Sequence, residues 1–485
     1  MTSRATRTST PAARARGAEM APRFGTSGLR GLVTELTPDL VAAHVGAFLT
    51  ACPHGTGLFI GRDLRPSSPA LASVVAETAR RAGVPVTDCG AVPTPALALA
   101  AMGAGAGAVM VTGSHIPADR NGLKFYLPTG EITKADEAAI LAALDHPRPP
   151  APEPAPLSRD TTAGAAWVRR SVTAFGADAL AGLRVGVWSH SAVSRDLMIA
   201  ALRGLGCAAV VELGRSEEFI PVDTEAVPEG ARRQIADWIA EHRLDALVST
   251  DGDGDRPLLA DEAGRVIPGD LLGQITAAAV GAEVVVTPVS SNSGVEAGGR
   301  FRRVIRTRIG SPFVIAGMEA APGRTVGYEA NGGFLLGFEA RLAGPLPPLP
   351  TRDSLLPILA PLSRARAAGG LAALVGREPD RFTAADRLEE VPAERARALV
   401  AGLAAQPERL AAFLAPLGEV PGPTDLADGL RVTCASGRIL HVRPSGNAPE
   451  LRLYVEAETL GTAGDLLTRG LAALGQALAE GVGSG

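Results

Sequence analysis

The sequence has few of the features that mark zinc-binding, membrane-spanning or nucleic-acid-binding proteins. It contains only four cysteines, and they lie far apart, so no close pair is available for zinc binding or disulfide exchange. No apolar run reaches the ~18 residues that a membrane span needs. The net charge is -4, and no long basic run follows the first twenty residues. A reduced, cytoplasmic setting is therefore favoured, and neither a nucleic acid nor a membrane is expected as a partner.

Aromatic residues are also scarce, at 4% of the chain, although 46% of its residues are hydrophobic. The core must therefore consist largely of small aliphatic side chains packed between helices and sheets. A chain of 485 residues exceeds what one core fills, so three or four domains are expected. Residues 1–20 are rich in Arg, Ser, Thr and Ala, and a disordered tail is favoured there over a transit peptide.

An apolar strand, a polar turn and a helix follow one another three times along the chain. The predicted strands cover residues 57–60, 183–188 and 283–287. After the first of them, Ser67 and Ser68 are expected to cap a helix with their hydroxyl groups. Strands that alternate with helices predict mostly parallel sheets covered on both faces.

Composition predicts where the domains end. Residues 146–156 include six prolines, which favour a stiff extended linker, and residues 345–350 are expected to form a proline-rich loop. After about residue 377 the helix and strand signals predict a smaller α+β domain with an antiparallel sheet. The expected fold is three related α/β domains with mixed, mostly parallel sheets, followed by that α+β domain. Their expected limits are 21–150, 157–263, 264–376 and 377–485.

The strongest chemical signal is the sequence Asp-Gly-Asp-Gly-Asp-Arg at residues 251–256, directly after an apolar strand. Glycines alternate with Asp251, Asp253 and Asp255, so the backbone can turn all three carboxylates toward one hard cation. A calcium-binding EF-hand loop would need glycine where Arg256 stands and helices on both sides, which excludes it. We therefore predict a magnesium site with few protein ligands and room for a phosphate oxygen.

A second segment leads from an apolar strand into a polar loop that contains Ser114. Gly113 leaves the serine hydroxyl without bulky neighbours, and His115 and Lys124 follow as hydrogen-bond donors or proton carriers. A nucleophilic serine fits this pattern. A Ser-His pair in a loop more often forms an ordinary turn, so the segment alone leaves both interpretations open.

Two further loops are rich in hydrogen-bonding groups. Glu329 and Asn331 alternate in the glycine loop 327–333, which suits the vicinal hydroxyls of a sugar, although a turn with solvated side chains fits equally well. Arg443 and Arg452 flank a Ser-Gly-Asn stretch that suits phosphate binding. A hairpin turn with surface arginines is the alternative there.

The four segments, in this order and at these separations, resemble the α-D-phosphohexomutase family, which includes phosphoglucomutase and phosphomannomutase. Residues 24–31, Phe-Gly-Thr-Ser-Gly-Leu-Arg-Gly, resemble the opening motif of that family. The resemblance implies four domains around a central cleft and an intramolecular phosphotransferase of the isomerase class. It also implies Mg²⁺ as cofactor, a hexose 1,6-bisphosphate as activator, a hexose phosphate as the small-molecule partner, and a monomer or homodimer.

The resemblance assigns roles to individual residues. Ser114 becomes the phosphoserine and joins Asp251, Asp253 and Asp255 as a metal ligand. Lys124 becomes the acid/base, with Arg30 and His115 in support. The residues implied in substrate binding are Arg256, Gly310, Ser311, Glu329 and Asn331. The residues implied in holding the second phosphate are Arg443, Ser445, Gly446, Asn447 and Arg452.

Several positions depart from the common family pattern. Gly113 and Ile116 stand where many members have alanine and asparagine, Asn331 replaces a serine, and Asn447 replaces a frequent threonine. The Gly-Ser-His-Ile-Pro variant is most similar to bacterial phosphomannomutases, so the expected reaction interconverts mannose 6-phosphate and mannose 1-phosphate. Phosphoglucomutase and phosphoglucosamine mutase stay open as alternatives. A metal-dependent sugar phosphatase and a non-catalytic phosphosugar-binding protein are the alternatives of another class.

Overall fold

The computed structural model describes residues 22–24, 28–146, 149–445 and 449–480. Three α/β units with mixed sheets are followed by a C-terminal α+β unit, which confirms the predicted fold class. Within the described residues, none of the helices combines the length and apolar character needed to span a bilayer.

The first unit contains an eight-stranded sheet in the order β1-β2-β6-β5-β3-β4-β8, with β7 paired to β6. Its strands are β1 (Arg23–Phe24), β2 (Leu29–Leu32), β3 (Leu58–Arg62), β4 (Val86–Ala91), β5 (Gly107–Val111), β6 (Arg120–Leu127), β7 (Gly130–Glu131) and β8 (Leu157–Arg159). Its helices are α1 (Pro38–Ala51), α2 (Ser68–Arg81), α3 (Thr94–Gly103) and α4 (Lys134–Ala143). Strand β8, at the expected start of the second domain, pairs in parallel with β4 of this sheet. The predicted domain limits stay predictions.

The second unit contains a four-stranded sheet in the order β10-β9-β11-β12. Its strands are β9 (Arg184–Trp188), β10 (Ala209–Leu213), β11 (Ala246–Thr250) and β12 (Pro257–Ala260). Its helices are α5 (Ala163–Phe175), α6 (Arg195–Gly204) and α7 (Glu229–His242). Strands β11 and β12 are antiparallel neighbours, so residues 251–256 connect the two strands of a hairpin. An EF-hand loop would have helices on both sides, so the structure agrees with its exclusion.

The third unit contains a five-stranded sheet in the order β14-β13-β15-β16-β19 and a small ribbon of β17 and β18. Its strands are β13 (Val284–Pro288), β14 (Arg303–Thr307), β15 (Thr325–Tyr328), β16 (Phe334–Leu336), β17 (Ala340–Arg341), β18 (Pro345–Leu346) and β19 (Leu349–Asp353). Its helices are α8 (Gly269–Ala279), α9 (Gly294–Ala297), α10 (Ser311–Glu319), α11 (Leu355–Ala368) and α12 (Leu371–Val375). The predicted proline-rich loop at 345–350 was wrong, because β19 lies at the sheet edge, where Pro350 need not donate a ladder hydrogen bond.

The fourth unit contains an antiparallel sheet in the order β20-β24-β23-β22-β21. Its strands are β20 (Phe382–Leu388), β21 (Thr424–Asp425), β22 (Leu430–Thr433), β23 (Ile439–Pro444) and β24 (Leu451–Ala457). Its helices are α13 (Ala393–Ala405), α14 (Pro407–Leu414) and α15 (Leu460–Glu480), with a 3₁₀ turn at Ala415–Leu417. This arrangement is the α+β unit predicted from the C-terminal sequence.

Small aliphatic side chains fill the core, as the composition predicted. All five residues are buried in each of the central strands β5, β11 and β13, which is typical of strands covered on both faces. One continuous cluster of buried residues runs through the first three units and includes Trp167, the largest fully buried side chain. Polar loops follow β5, β11 and β15 at their carboxyl ends, where α/β sheets commonly bind ligands.

Candidate active site

The Asp-Gly-Asp-Gly-Asp turn between β11 and β12, here called the metal loop (residues 251–255), gathers three buried carboxylates. One oxygen each from Asp251, Asp253 and Asp255 lies within 4.8 Å of the others. The Oδ1 atoms of Asp253 and Asp255 make no hydrogen bond. Buried carboxylate oxygens without donors are costly unless a cation completes them, and an all-oxygen donor set is what magnesium prefers. The residues therefore fit Mg²⁺.

The electrostatics of the metal loop also call for positive charge. Burial, together with repulsion from Asp253 and Asp255, raises the pKa of Asp251 well above its usual range. The ammonium group of Lys124 donates hydrogen bonds of 2.6 Å to Oδ2 of both Asp253 and Asp255. Burial acts to raise the pKa of Asp253, but Lys124 outweighs it and holds that pKa below its usual range. Lys124 and the aspartates thus form one charged cluster.

Neighbouring units hold the metal loop in place. Thr94, at the start of α3, donates its backbone N–H to the Asp253 carbonyl oxygen at 2.9 Å and its hydroxyl to Asp253 Oδ2 at 2.6 Å. Ser354 of the third unit donates its hydroxyl to the Gly254 carbonyl oxygen at 2.7 Å. A Cβ at Gly252 would lie 2.8 Å from the Ser114 carbonyl oxygen, so only glycine allows this approach.

Ser114 lies in the loop after β5 and contacts the metal loop directly. Its Oγ donates to Asp251 Oδ2 at 2.5 Å, and His115 Nδ1 lies 3.3 Å from the same Oγ. The side chain is buried, and φ is 53°, in the left-handed region that non-glycine residues rarely adopt. The hydroxyl therefore points at the carboxylate cluster instead of at its own backbone, which is the geometry a nucleophile needs.

The strained serine loop is held by Arg65, which the sequence interpretation missed. Its guanidinium is paired with Asp63 at 3.2 Å and lies over the Phe219 ring. It also donates four hydrogen bonds of 2.6–2.9 Å, to the carbonyl oxygens of Ser114, Ile116, Pro117 and Arg120. A Cβ at Gly113 would lie 2.5 Å from Arg65 Cζ. Arg65 thus fixes the backbone of Ser114 and of the loop that follows it.

Asp63 is in turn held by serine and threonine hydroxyls. Ser68 donates to Asp63 Oδ1 at 2.6 Å, and Thr112 donates to Oδ2 at 2.7 Å. The prediction that Ser67 and Ser68 cap α2 was wrong, because Ser67 makes no side-chain cap bond and Ser68 points to Asp63 instead. These hydroxyls therefore support the Arg65 contact instead of the helix end.

Two further predicted residues, His115 and Arg30, lie beside the cluster with different charges. Burial, followed by the positive charges of Arg256 and Arg30, lowers the pKa of His115 to about 2, so its ring is neutral near pH 7. Burial and repulsion from Arg256 and Arg352 lower the pKa of Arg30 to about 10, which leaves the guanidinium charged at neutral pH. Arg30 can therefore attract a phosphate, while His115 acts only through its neutral ring.

The loop between β15 and β16, here called the sugar loop (residues 329–333), presents buried polar groups. Glu329 is 5% and Asn331 is 7% exposed, which disagrees with a turn of solvated side chains. Asn331 Oδ1 accepts a 3.0 Å hydrogen bond from the Gly333 backbone, and Glu329 Oε2 has no hydrogen-bond partner. Thr224, which the sequence interpretation missed, donates its hydroxyl to the Asn331 carbonyl oxygen at 3.4 Å.

Arg256 lies beside the metal loop, whereas Ser311 contacts the first unit. Arg256 lies next to the metal loop, with Nη1 3.9 Å from Asp223 Oδ1, and its Nε makes no hydrogen bond. Ser311, at the start of α10, donates its hydroxyl to Glu131 Oε2 of the first unit at 2.7 Å. Gly310 precedes it with φ 126°, a conformation that favours glycine. In this structure the Ser311 hydroxyl therefore serves a contact between units.

The predicted phosphate-binding loop lies between β23 and β24. Gly446 and Asn447 lie outside the described residues, and the side chain of Ser445 is buried. Arg443 Nε donates to Asp428 Oδ1 at 3.0 Å, and the other oxygen of Asp428 accepts from the Ile309 backbone at 3.0 Å. Arg452 donates to Glu450 Oε2 at 3.0 Å. Arg443 is thus linked through Asp428 to the residue before Gly310.

His190, which lies beneath the metal loop, is expected to make stability depend on pH. Its buried Nε2 is 2.9 Å from the Thr250 carbonyl oxygen, and burial lowers its pKa to about 4. An unfolded histidine titrates near pH 6.5, so unfolding takes up a proton between those two values. The stability present at neutral pH should therefore fall on acidification, by up to about 3 kcal/mol for this residue.

Urea unfolding of the wild type and of His190→Asn at several pH values would measure this contribution. Asparagine tolerates the positive φ of 22° at this position. The variant should lose less stability than the wild type on going to low pH, whereas His146→Asn, at an exposed site, should behave like the wild type. Identical pH slopes for the wild type and His190→Asn would contradict the assignment.

Comparison with known proteins places the chain among proteins with the same four-part organisation. It matches four sequence profiles, which describe the phosphoglucomutase/phosphomannomutase alpha/beta/alpha domains I, II and III and the C-terminal domain. The matched residues are 21–149, 166–264, 268–382 and 386–469. These matches confirm the resemblance inferred from the motifs.

Relatives and a solved structure agree with the profiles. A phosphomannomutase of Sinorhizobium fredii is 46% identical over 95% of this chain and 100% of its own length. A phosphomannomutase of Salmonella muenchen is 42% identical over 90% of this chain and 92% of its own. The fold matches that of a phosphoglucomutase/phosphomannomutase family protein from Burkholderia thailandensis, with a TM-score of 0.75, 21% identity, and coverage of 94% of this chain and 97% of that one. The chain therefore belongs to the phosphoglucomutase/phosphomannomutase family, whose members are isomerase-type phosphotransferases acting on hexose phosphates.

Proposed function

We propose that this enzyme interconverts mannose 6-phosphate and mannose 1-phosphate through phosphorylated Ser114 and a hexose 1,6-bisphosphate intermediate. The observation that carries the proposal is the 2.5 Å hydrogen bond from Ser114 Oγ to Asp251 Oδ2, inside the carboxylate cluster. It supports a hydroxyl that takes and returns a phosphoryl group beside a divalent cation. Both relatives named above are phosphomannomutases, which favours mannose phosphates over other hexose phosphates.

The transfer step begins from the phosphorylated serine. A sugar hydroxyl forms a bond to phosphorus as the bond from phosphorus to Ser114 Oγ breaks. Lys124 is proposed to give a proton from its ammonium group to the leaving Ser114 Oγ and to take up the proton of the attacking hydroxyl. The resulting bisphosphate turns around in the site, and its other phosphoryl group returns to Ser114. Magnesium, held by Ser114 and the three aspartates, would neutralise charge on the phosphoryl group during transfer.

Recognition of the sugar is proposed to use the sugar loop and the arginines. Glu329 Oε2 is a buried acceptor without a hydrogen-bond partner, so it is available to a sugar hydroxyl. Arg30 and Arg256 lie beside the metal loop and supply positive charge for the transferring phosphate. Arg443 is proposed to exchange Asp428 for the second phosphate, with Gly446 and Asn447 contributing from the same loop.

The burial of the nucleophile supports transfer over hydrolysis. Ser114 is 1% exposed, and loops of the first and second units meet at its hydroxyl. Water that reached a phosphoserine would release free phosphate, so a site that excludes water favours a sugar hydroxyl as acceptor. A phosphatase would also gain nothing from a second phosphate site in the fourth unit.

The proposal can be tested with a panel of mannose, glucose and glucosamine 1-phosphates, each activated with a hexose 1,6-bisphosphate. After chelation, turnover should be lost and should return when Mg²⁺ is added. We expect mannose 1-phosphate to have a kcat/KM about tenfold above the others. A faster glucosamine or glucose substrate would correct the sugar, release of inorganic phosphate without isomerisation would indicate a phosphatase, and no turnover of any sugar would refute the proposal.

A further inference from the structure

Arg352 on β19 brings a buried cation to three separate carboxylates. Its Nη2 lies 3.1 Å from Asp255 Oδ2 of the metal loop, and its Nη1 lies 3.7 Å from Glu329 Oε2 of the sugar loop. Its Nε lies 3.6 Å from Glu131 Oε1 of β7. The Arg352 side chain is only 4% exposed, so solvent screens these charges little. One guanidinium therefore stands between the metal loop and the sugar loop.

The contacts of Arg352 are ionic, with incomplete hydrogen bonding. Neither Nε nor Nη2 makes a hydrogen bond, and Glu329 Oε2 has none either. A buried arginine that served stability alone would be expected to use its planar fork in bidentate bonds, because unsatisfied buried donors are costly. The arrangement therefore leaves donors and an acceptor available at the place where a ligand meets both loops.

The other side of Arg352 is anchored on the first unit. Glu131 Oε1 accepts a 2.9 Å hydrogen bond from Thr351, and Glu131 Oε2 accepts one from Ser311. A Cβ at Gly333 would lie 2.9 Å from Arg352 Cδ, so the sugar loop packs directly on the arginine stem. Movement of the guanidinium is thus restricted from two sides.

The neighbouring residue on β19 offers a comparison. Asp353 accepts a 3.1 Å hydrogen bond from Trp167 Nε1 and lies 3.4 Å from Arg170 Nη1. The Arg170 side chain is 5% exposed, much like that of Arg352. Successive side chains of a strand point to opposite faces, so this second buried pair lies away from the metal and sugar loops. Arg170 is therefore a matched buried arginine outside the site.

We propose that Arg352 is a positioning residue that links sugar recognition to metal binding by neutralising Asp255 and Glu329 together. This inference rests on the proposed function. As a cation beside Asp255, Arg352 weakens the attraction of the metal loop for a divalent ion. As the counter-charge of buried Glu329, it holds that carboxylate where a sugar hydroxyl can donate to it. Arg352 thus lowers the affinity for the divalent ion and raises the affinity for the sugar.

Substitution of Arg352 by methionine should change the affinities for Mg²⁺ and for the sugar phosphate in opposite directions. Calorimetric titration with Mg²⁺ alone should give a dissociation constant about five- to tenfold lower than that of the wild type, because the competing positive charge is gone. Titration with mannose 1-phosphate should give a dissociation constant at least about tenfold higher, because Glu329 loses its only counter-charge among the described ion pairs. A residue with a merely structural role would weaken both ligands.

Two variants complete the test. Arg352→Lys keeps the charge and loses the planar fork, so Mg²⁺ affinity should stay near that of the wild type while mannose 1-phosphate binds more weakly. Arg170→Met should lower thermal stability and leave both affinities unchanged.

The proposal is overturned if Arg352→Met weakens both ligands or changes neither, or, should that variant not fold, if Arg352→Lys weakens Mg²⁺ binding. The Mg²⁺ titration needs no turnover, so it decides the role of Arg352 even if the wild type isomerises none of the panel sugars.

Discussion

Replacing Ser114 with alanine is expected to reduce kcat/KM by about 10³-fold or more, because no other atom can carry the phosphoryl group in the proposed reaction. The fold should persist. Serine and alanine pay a similar cost for the left-handed φ of 53°, and the folded state loses one hydrogen bond to Asp251, worth about 1–3 kcal/mol. A coupled assay for isomerised sugar, together with a thermal melt, measures both effects.

Mass spectrometry of the intact protein gives an independent readout of the same substitution. Incubation with a hexose 1,6-bisphosphate should add the mass of one phosphoryl group to the wild type and none to Ser114→Ala. Ser171→Ala is a suitable control, because that serine is equally buried but lies in α5. Near-normal turnover by Ser114→Ala, or its phosphorylation at another residue, would contradict the covalent route.

Replacing Arg65 with methionine is expected to cost about 3–5 kcal/mol of stability and most of the activity. The substitution leaves Asp63 as a buried charge without its counter-ion, and removal of one partner of a buried pair has a penalty of that size. It also removes the donors of four carbonyl groups around Ser114. Urea unfolding and the sugar assay measure the two losses.

The double variant Asp63→Asn/Arg65→Met separates the two losses. Removing the unpaired charge should restore part of the stability, whereas activity should stay low because the serine loop still lacks its donors. Arg81→Met, which breaks an exposed pair with Glu77, should change stability by less than about 1 kcal/mol. Full activity in the double variant would show that Arg65 does not position Ser114.

The sequence predicted those site residues that belong to short local sequence patterns, namely the three aspartates and Ser114. Alternation of aspartate and glycine after an apolar strand was enough to place three carboxylates around one point, and the hairpin of β11 and β12 produces that geometry. The loop with Ser114 follows β5, and its contact with Asp251 agrees with the meeting of carboxyl-end loops in α/β folds. The order of strands and loops was therefore sufficient to predict the aspartates and Ser114 as neighbours.

The residues that the sequence could not predict act over long separations. Arg65 stands in an ordinary polar turn after β3, and its role depends on carbonyl groups about fifty positions later in the chain. Arg352 lies two residues after the stretch 345–350, for which the prolines predicted a loop. The pairing of β19 with β16 places its side chain beside Asp255. Neither residue belongs to a recognisable motif, so tertiary contact alone reveals them.

The close approach of Gly113 to Arg65 limits the substitutions that position 113 can accept. The guanidinium is fixed by Asp63 and four carbonyl groups, so it cannot move aside for a methyl group that would lie 2.5 Å from its Cζ. A Gly113→Ala exchange in this chain would therefore push the guanidinium away from Asp63 and from the loop carbonyl groups. Position 113 should accept a methyl group only when Arg65 is replaced with it.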